Sequence, residues 1–352
     1  MIPIVYFRSS SFNCHRFCPM QYYLEYGLGW KGDSGKKADK GTIVHKVLEI
    51  AAVCKKGAQD GKKIITDSQI GRVSTANYDP KYLEKVIKRV YRYFTDRIPH
   101  HEWTDKDYKD CSNWSWKALQ YNEGMFDPRN RDVVEAEPHF DFTIDEEWAH
   151  YNYDIKDGEK LEGNLSIKGT IDLVTDLGEG VYEVIDWKTG RRLDWATGEE
   201  KSQEKLFNDP QLRLYHYAVK HLYPDVKSFL VTIYFINDGG AFTVHFQDKD
   251  ILQTEEMIKK KFKFIKETTE PRANRSWKCS KLCHQGKSTF EETHITPITE
   301  KRTGQVTPHG NVMTKCEQTR YMIKKYGIEW AHENLKHPDH IIGHYSPPGE
   351  VE

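Results

Sequence analysis

The chain has 352 residues and a net charge of −1, with 12% aromatic residues that exclude a disordered chain. Its length allows one large domain or two smaller ones with a real core. The charge balance excludes global attraction to phosphate, leaving local basic clusters at Lys36, Lys37 and Lys40, at Arg191 and Arg192, and at Lys259, Lys260, Lys261 and Lys263, each equally readable as a solvated face. No apolar run reaches membrane-spanning length and the start lacks a signal-peptide layout, so an intracellular, cytoplasmic protein with no membrane partner is expected.

In chain order, Ser9-Ser10-Ser11 offers N-caps for a short helix that includes Cys14 and Phe17. Pro19 suits the first turn of a second helix over 20–26, closed by Gly27 and Gly29. After a polar loop, the stretch from Gly41 to Ala52 predicts a helix with His45 and Glu49 on one face. Another amphipathic helix over 82–98 presents Leu83, Val86, Ile87, Val90 and Phe94. Residues 99–130 lack a clear period and are expected to form an irregular insertion. Their Trp103, Trp114 and Trp116 read either as core or as platforms for unpaired bases.

Strands are predicted over 133–142, 166–175, 181–188, 229–236 and 241–246, with a helix over 210–222 and another over 251–266. This order predicts an α/β fold, a mixed central sheet flanked by helices. Residues 289–310 read as polar and turn-rich, 316–336 as a final helix, and the remainder as an extension.

The chemistry concentrates between Lys168 and Gly190, which reads as two strands joined by a tight turn, Asp176–Gly180. Asp186 and Lys188 are two apart, so a pleated strand points both to one face. With Asp172 at the end of the preceding strand, they make an acidic pocket with a cation at its rim. Such a pocket suits a hard divalent ion on oxygen ligands and a water activated against a phosphodiester, with the main-chain carbonyl of Trp187 as a third oxygen. The plain alternative is a solvent-facing hairpin with a salt-bridged lysine. His45 reads either as a further ligand or as a packed histidine. Gln211 and Tyr215, one helical turn apart, either position a lysine, a phosphate or a DNA backbone, or are ordinary helix surface.

Gly41-x-x-x-His45, Gly169-x-x-Asp172, Asp186-x-Lys188-Thr-Gly190 and Gln211-x-x-x-Tyr215 follow one another in an order that resembles the PD-(D/E)XK nuclease superfamily. The likeness is to its RecB-like branch, which includes CRISPR-adaptation and phage RecB-type exonucleases, and it spans roughly Ser9 to Cys283. The resemblance implies a restriction-endonuclease-like core over 1–288 with a C-terminal extension over 289–352. It implies DNA cleavage with Mg2+ or Mn2+, and His45, Asp172, Asp186 and the Trp187 carbonyl as metal ligands. Lys188 would be catalytic beside His45, Asp172 and Asp186, with Gln211 and Tyr215 in the supporting motif. The expected substrate is single-stranded DNA or duplex ends, handled by an exonuclease or end-processing enzyme of recombination, repair or phage DNA metabolism. A nuclease-like DNA-binding or assembly subunit and a sequence-specific restriction-type endonuclease remain open alternatives.

Seven cysteines, an odd number, argue against a disulfide framework. Several members of the RecB-like branch hold a four-iron cluster with one cysteine near the N-terminus and three near the C-terminus. Cys18-Pro19 and Cys279-Ser-Lys-Leu-Cys283 resemble those positions. The pair is wider by one residue than is usual and no cysteine follows closely, so the fourth ligand is Cys316 or Cys14. Thiolates suit a [4Fe-4S] cluster or tetrahedral Zn2+, and free buried thiols are the third reading. Cys54 and Cys111 read as ordinary thiols, and His337, His340 and His344 as part of a surface tail.

Overall fold

The computed structural model of the chain describes residues 1–76, 79–154, 160–194, 197–292, 295–299 and 306–341, the backbone alone for 295–299 and 306–311. The chain forms two compact units from interleaved segments. A terminal unit takes Met1–Asp33, Asp141–Lys168 and Glu255–Glu352, and a central unit takes Ser34–Phe140 and Gly169–Thr254.

The central unit is mixed α/β, as the predicted order of elements requires. Its five-stranded sheet runs Gly240–Phe246, Ser228–Phe235, Val181–Lys188, Leu173–Asp176, Asp132–Ala136. Val181–Lys188 and Ser228–Phe235 are parallel. A parallel pair needs a crossover, which the helices Gln203–Phe207 and Pro210–Leu222 supply. The other neighbours in this sheet are antiparallel. In the turn between Leu173–Asp176 and Val181–Lys188, the Asp176 carboxylate accepts the Gly178 N–H at 2.7 Å.

Helices Lys36–Gln59, Pro80–Arg97 and Asp105–Gln120 bury Val44, Val47, Leu83, Val86, Val90 and Leu119 in one cluster with Leu173, Ile185 and Trp187 of the sheet. Each such side chain contributes about 1.5–3 kcal/mol on burial. Because Ile185 and Trp187 enter this cluster, strand alternation sends Asp186 and Lys188 to the opposite face. A slip of one residue would exchange the two sets, so the core fixes the register on which Asp186 depends.

Several predicted elements differ from the observed ones. The stretch expected to be irregular contains the helix Asp105–Gln120, opened by a capping box in which Thr104 and Asp107 bond reciprocally. Trp103, Trp114 and Trp116 pack, partly buried, against the core. The predicted strand over 133–142 is two strands, Asp132–Ala136 and His139–Thr143, separated at Glu137-Pro138. Likewise 166–175 is broken between Thr170 and Leu173, and the antiparallel pair Ile64–Asp67 and Gly71–Ser74 was not anticipated.

The terminal unit holds the helices Ser9–Phe17 and Pro19–Tyr22, the latter continuing as a π-helical turn over Tyr23–Gly27. The strand Tyr6–Phe7 pairs in parallel with Ser166–Ile167, and His150–Asp154 forms an antiparallel pair with Lys160–Asn164. Ile258, Phe262 and Ile265, spaced as one helical stripe, are buried. The predicted helix over 316–336 is two helices, Lys315–Tyr326 and Ile328–Asn334, because Gly327 adopts φ 92° between them. The stretch expected to be turn-rich includes the antiparallel pair Ile295–Thr299 and Val306–Val312. The residues expected as a free tail pack back on the N-terminal segment. The His337 N–H donates to the Leu28 carbonyl at 2.8 Å, and the Trp30 indole donates to the Leu335 carbonyl at 2.6 Å. His344 lies outside the described residues. Among the described residues, no helix is long and apolar enough to cross a membrane.

Candidate active site

Asp172 and Asp186 reach the site from neighbouring strand ends. Asp172 sits between the strands Ser166–Thr170 and Leu173–Asp176, and the break at Glu137-Pro138 holds it there. The Glu137 N–H donates to the Asp172 carbonyl, and the Ile171 N–H to the Pro138 carbonyl, both at 3.1 Å. The Asp172 carboxylate accepts the Trp187 N–H at 2.8 Å and lies 3.3 Å from His45 Nδ1. Two motif glycines have a steric reason. A Cβ on Gly41 would fall 2.7 Å from the Thr189 hydroxyl, and one on Gly169 would fall 2.4 Å from the Phe140 ring.

Asp186 is fully buried. Its Oδ1 accepts three hydrogen bonds, from the Lys188 ammonium at 2.8 Å, the Gln211 amide at 3.0 Å and the Tyr215 hydroxyl at 2.8 Å. The Gln211 amide also donates to the Tyr215 hydroxyl at 2.8 Å. Helix Pro210–Leu222 can aim this pair because Asp209 caps it, accepting the Gln211 N–H at 2.9 Å, and Pro210 occupies its first turn. Asp186 Oδ2 is different. It is buried without a hydrogen bond, and the Lys188 ammonium lies 2.6 Å away but outside hydrogen-bonding geometry.

The charges offset one another. Burial would raise the Asp172 pKa, but His45, Lys188 and the Trp187 N–H outweigh it and hold the carboxyl below its usual range. Burial works against a charged Lys188, yet Asp186 and Asp172 hold its pKa above the ordinary value. His45 follows the same pattern: burial lowers its pKa, Asp172 raises it, and the net direction is up. Asp186 goes the other way. Burial raises its pKa, Asp172 adds to that, and Lys188 only partly compensates. Burial, followed by the charges of Asp186 and Asp172, pushes the Tyr215 phenol well up and keeps it a hydrogen-bond donor.

The structure therefore brings His45, Asp172, Asp186, Lys188, Gln211 and Tyr215 into one neighbourhood of the central unit. Among the described residues, His45, Asp172 and Asp186 do not bring three donor atoms within 4.8 Å of one another. A divalent ion fits the donor types, two carboxylates and an imidazole, with the Lys188 ammonium paired to Asp186 Oδ2 at 2.6 Å. Glu49, on the same helix face as His45, pairs with Lys46 at 2.7 Å. Sequence reading missed Glu137. Burial and the charges of Glu49 and Asp172 push this carboxyl up to about 7, and its backbone stands at φ 49°. The Glu-Pro dipeptide was its only local signal.

In the basic cluster near Gly41, Lys36 lies 2.6 Å from Asp107, and Lys40 lies 3.2 and 2.8 Å from Asp107 and Asp110, so both are matched by acids.

Five cysteines lie in the terminal unit. Cys14 and Cys18 are one helical turn apart, the Cys18 N–H donating to the Cys14 carbonyl at 2.8 Å. Burial pushes the Cys316 thiol up to about 12, helped by the charges of Cys18, Cys283 and Cys279. Burial also raises Cys283, with Cys18 and Glu25 adding to it against the N–H donors of Gly286 and Gln285. Cys14, raised by burial and then by Glu25, donates to the Glu25 carboxylate at 3.6 Å. So Cys14, Cys18, Cys279, Cys283 and Cys316 lie within reach of one another's charge, and all are free. Among the described residues, no three of their sulfurs lie within 4.8 Å of one another. Tetrahedral zinc, with Zn–S bonds of about 2.3 Å, would place them roughly 3.8 Å apart.

Comparison with known proteins places this geometry in context. Residues 9–285 match the family model described as the PD-(D/E)XK nuclease superfamily. No curated protein matches the chain significantly. Among solved structures, a chain from Eubacterium rectale provisionally named an exonuclease is 12% identical with a TM-score of 0.43, covering 78% of this chain and 86% of its own. The protein SSO0001 is 14% identical with a TM-score of 0.24, covering 67% of this chain and 81% of its own. At these scores neither structure supports an argument about function.

Proposed function

The chain belongs to the PD-(D/E)XK nuclease superfamily, and from that premise we propose that its central unit is a RecB-like deoxyribonuclease that hydrolyses phosphodiesters with Mg2+ or Mn2+. Nucleases of this superfamily typically use divalent metals. The single observation that carries the reading is Asp186, a fully buried carboxylate held by Lys188, Gln211 and Tyr215 in the same neighbourhood as Asp172 and His45. Burying like charges near one another is costly, and a purely structural core avoids it. Asp172, Asp186, His45 and the main-chain carbonyl of Trp187 would hold the ion. When bound, it supplies Lewis acidity and a more acidic water.

The chain's own groups do the rest. Gln211 and Tyr215 fix the Asp186 carboxylate, and the Trp187 N–H and His45 fix that of Asp172. Lys188, with its side chain 32% exposed, presents a permanent ammonium at the rim, placed to hold the attacking water or to stabilise charge developing on the phosphate. The resemblance to the RecB-like branch favours release from DNA ends. Cleavage of end-labelled single-stranded and duplex DNA, with and without Mn2+, tests the proposal in wild type and Lys188→Ala. Progressive release of short products by wild type alone is expected. Equal, negligible cleavage by both proteins would favour a DNA-binding subunit, and discrete plasmid fragments a restriction-type enzyme.

For the cysteines, we propose a [4Fe-4S] cluster on Cys18, Cys279, Cys283 and Cys316. Cys14 fits less well, because its sulfur is engaged as a donor to Glu25. The resemblance of these positions to the cysteines of the RecB-like branch favours a cluster over one zinc ion.

A further inference from the structure

We propose a second metal site in the central unit, formed by Asp39, His100 and His101, that takes a zinc-type ion. Asp39 stands in the first turn of helix Lys36–Gln59, and the two histidines stand in the turn that follows helix Pro80–Arg97. Both imidazoles aim Nε2 at the same carboxylate oxygen: His101 Nε2 lies 2.7 Å and His100 Nε2 lies 4.0 Å from Asp39 Oδ2. Among the described residues this is the one trio of histidine, cysteine or acidic side chains whose donor atoms all fall within 4.8 Å. The motifs that define the nuclease site do not include these residues.

An ion pair explains only half of this arrangement. The His101–Asp39 contact is a good hydrogen bond, but His100 at 4.0 Å makes none to that oxygen. The two rings are 4.1 Å apart between centroids, close enough for one ion to meet both. One divalent ion bonded to both neutral imidazoles and to the carboxylate resolves the arrangement. In a tetrahedral site with bonds of about 2.0–2.1 Å, donors sit roughly 3.4 Å apart, a separation that the observed 2.7 and 4.0 Å bracket. Shifts of about half an ångström would seat the ion.

The surroundings are already ordered for this. The Ser34 hydroxyl donates to the other Asp39 oxygen, an outer partner of the kind that orients ligating carboxylates. The Trp103 indole donates to the Ile98 carbonyl at 3.0 Å, and Lys36 donates to the Glu102 carbonyl, so the histidine turn is tied at both ends. Asp39 is 5% exposed, while the His100 side chain is 40% exposed and gives the ion an entry path. Two imidazoles and one carboxylate suit zinc, cobalt or nickel better than magnesium, so this site and the nuclease site would choose different ions. Its effect would be to pin the turn to the start of the helix that carries His45.

The test is cobalt(II) and zinc uptake by the full chain after chelator treatment, in excess Mg2+. Cobalt bound by nitrogen and oxygen gives visible bands without the thiolate charge-transfer absorption that any cysteine-bound cobalt adds. His101→Gln keeps a hydrogen-bond donor for Asp39 but removes a ligand. We expect the nitrogen–oxygen band in wild type and in Asp186→Asn, and at least roughly tenfold weaker uptake in His101→Gln. Zinc should raise the melting temperature of wild type and not of that variant. Equal affinity and equal zinc response in wild type and a folded His101→Gln would overturn the site. A His100→Ala variant with wild-type uptake would overturn it too.

Discussion

In the central unit the charged groups of the site neutralise one another, whereas in the terminal unit five cysteines gather with little to neutralise them. Asp172 is held below its usual pKa while His45 and Lys188 are held above theirs, so their charged forms support each other. Cys14, Cys283 and Cys316 are all raised, which keeps them thiols. The first site offsets much of its own charge, while Asp186 is still pushed toward its neutral form by burial and Asp172. The second gathers neutral groups whose negative forms repel, and binding a metal there must release protons. Closeness alone explains neither; what differs is the counter-charge.

The sharpest way to test that contrast is Cys283→Ser. Iron analysis and visible absorption of anaerobically purified protein should show stoichiometric iron in wild type and its loss in the variant, with Cys14→Ser retaining it. Colourless wild-type protein with stoichiometric zinc would replace the cluster by a zinc site.

Next in size is Asp107→Asn, which attacks the densest neutralisation in the central unit. Burial opposes the Asp107 charge, but Lys36, Thr104 and Lys40 hold its carboxyl well below the usual carboxylate range. A group depressed in the folded state contributes stability that is present above its unfolded pKa of about 3.9 and is lost as pH falls through the folded value. With Lys36 one-third exposed and Lys40 still paired to Asp110, the variant should lose about 2 kcal/mol at neutral pH by denaturant titration, and the difference from wild type should shrink in strong acid. A pH-independent difference would assign the loss to the capping box instead.

Smallest is Tyr215→Phe. Removing one of three donors to Asp186 should cost about 1–2 kcal/mol of transition-state stabilisation, roughly tenfold in kcat, with DNA binding little changed. An unchanged kcat would make the phenol a packing residue.

Much of the candidate site was legible because its motifs place chemistry at strand ends and on one helix turn, where periodicity is reliable. Asp186 and Lys188 at spacing two share a face, and Gln211 and Tyr215 at spacing four both meet Asp186. Glu137 was not legible, since its position depends on a left-handed backbone break between two strands that read as one. Helix Asp105–Gln120 was hidden because its buried stripe is small or polar, with Cys111, Ser112, Ser115 and Ala118 where large apolar residues would mark a period. Its Thr104–Asp107 capping box was the signal available. The Asp39–His100–His101 trio joins residues about sixty apart with no spacing that sequence could reveal. The cysteines were found by type, and only folding showed Cys14 and Cys316 both close to Cys18 and Cys283.

Asp186 anchors the proposed ion-dependent hydrolytic centre, and Asp186→Asn isolates that role because the amide preserves size and much of the hydrogen bonding. Initial rates on end-labelled DNA across a Mn2+ titration should show metal-dependent cleavage by wild type and a loss of roughly a thousandfold in the folded variant at every concentration. Cleavage by Asp186→Asn at the wild-type rate, or wild-type cleavage indifferent to Mn2+, would contradict it.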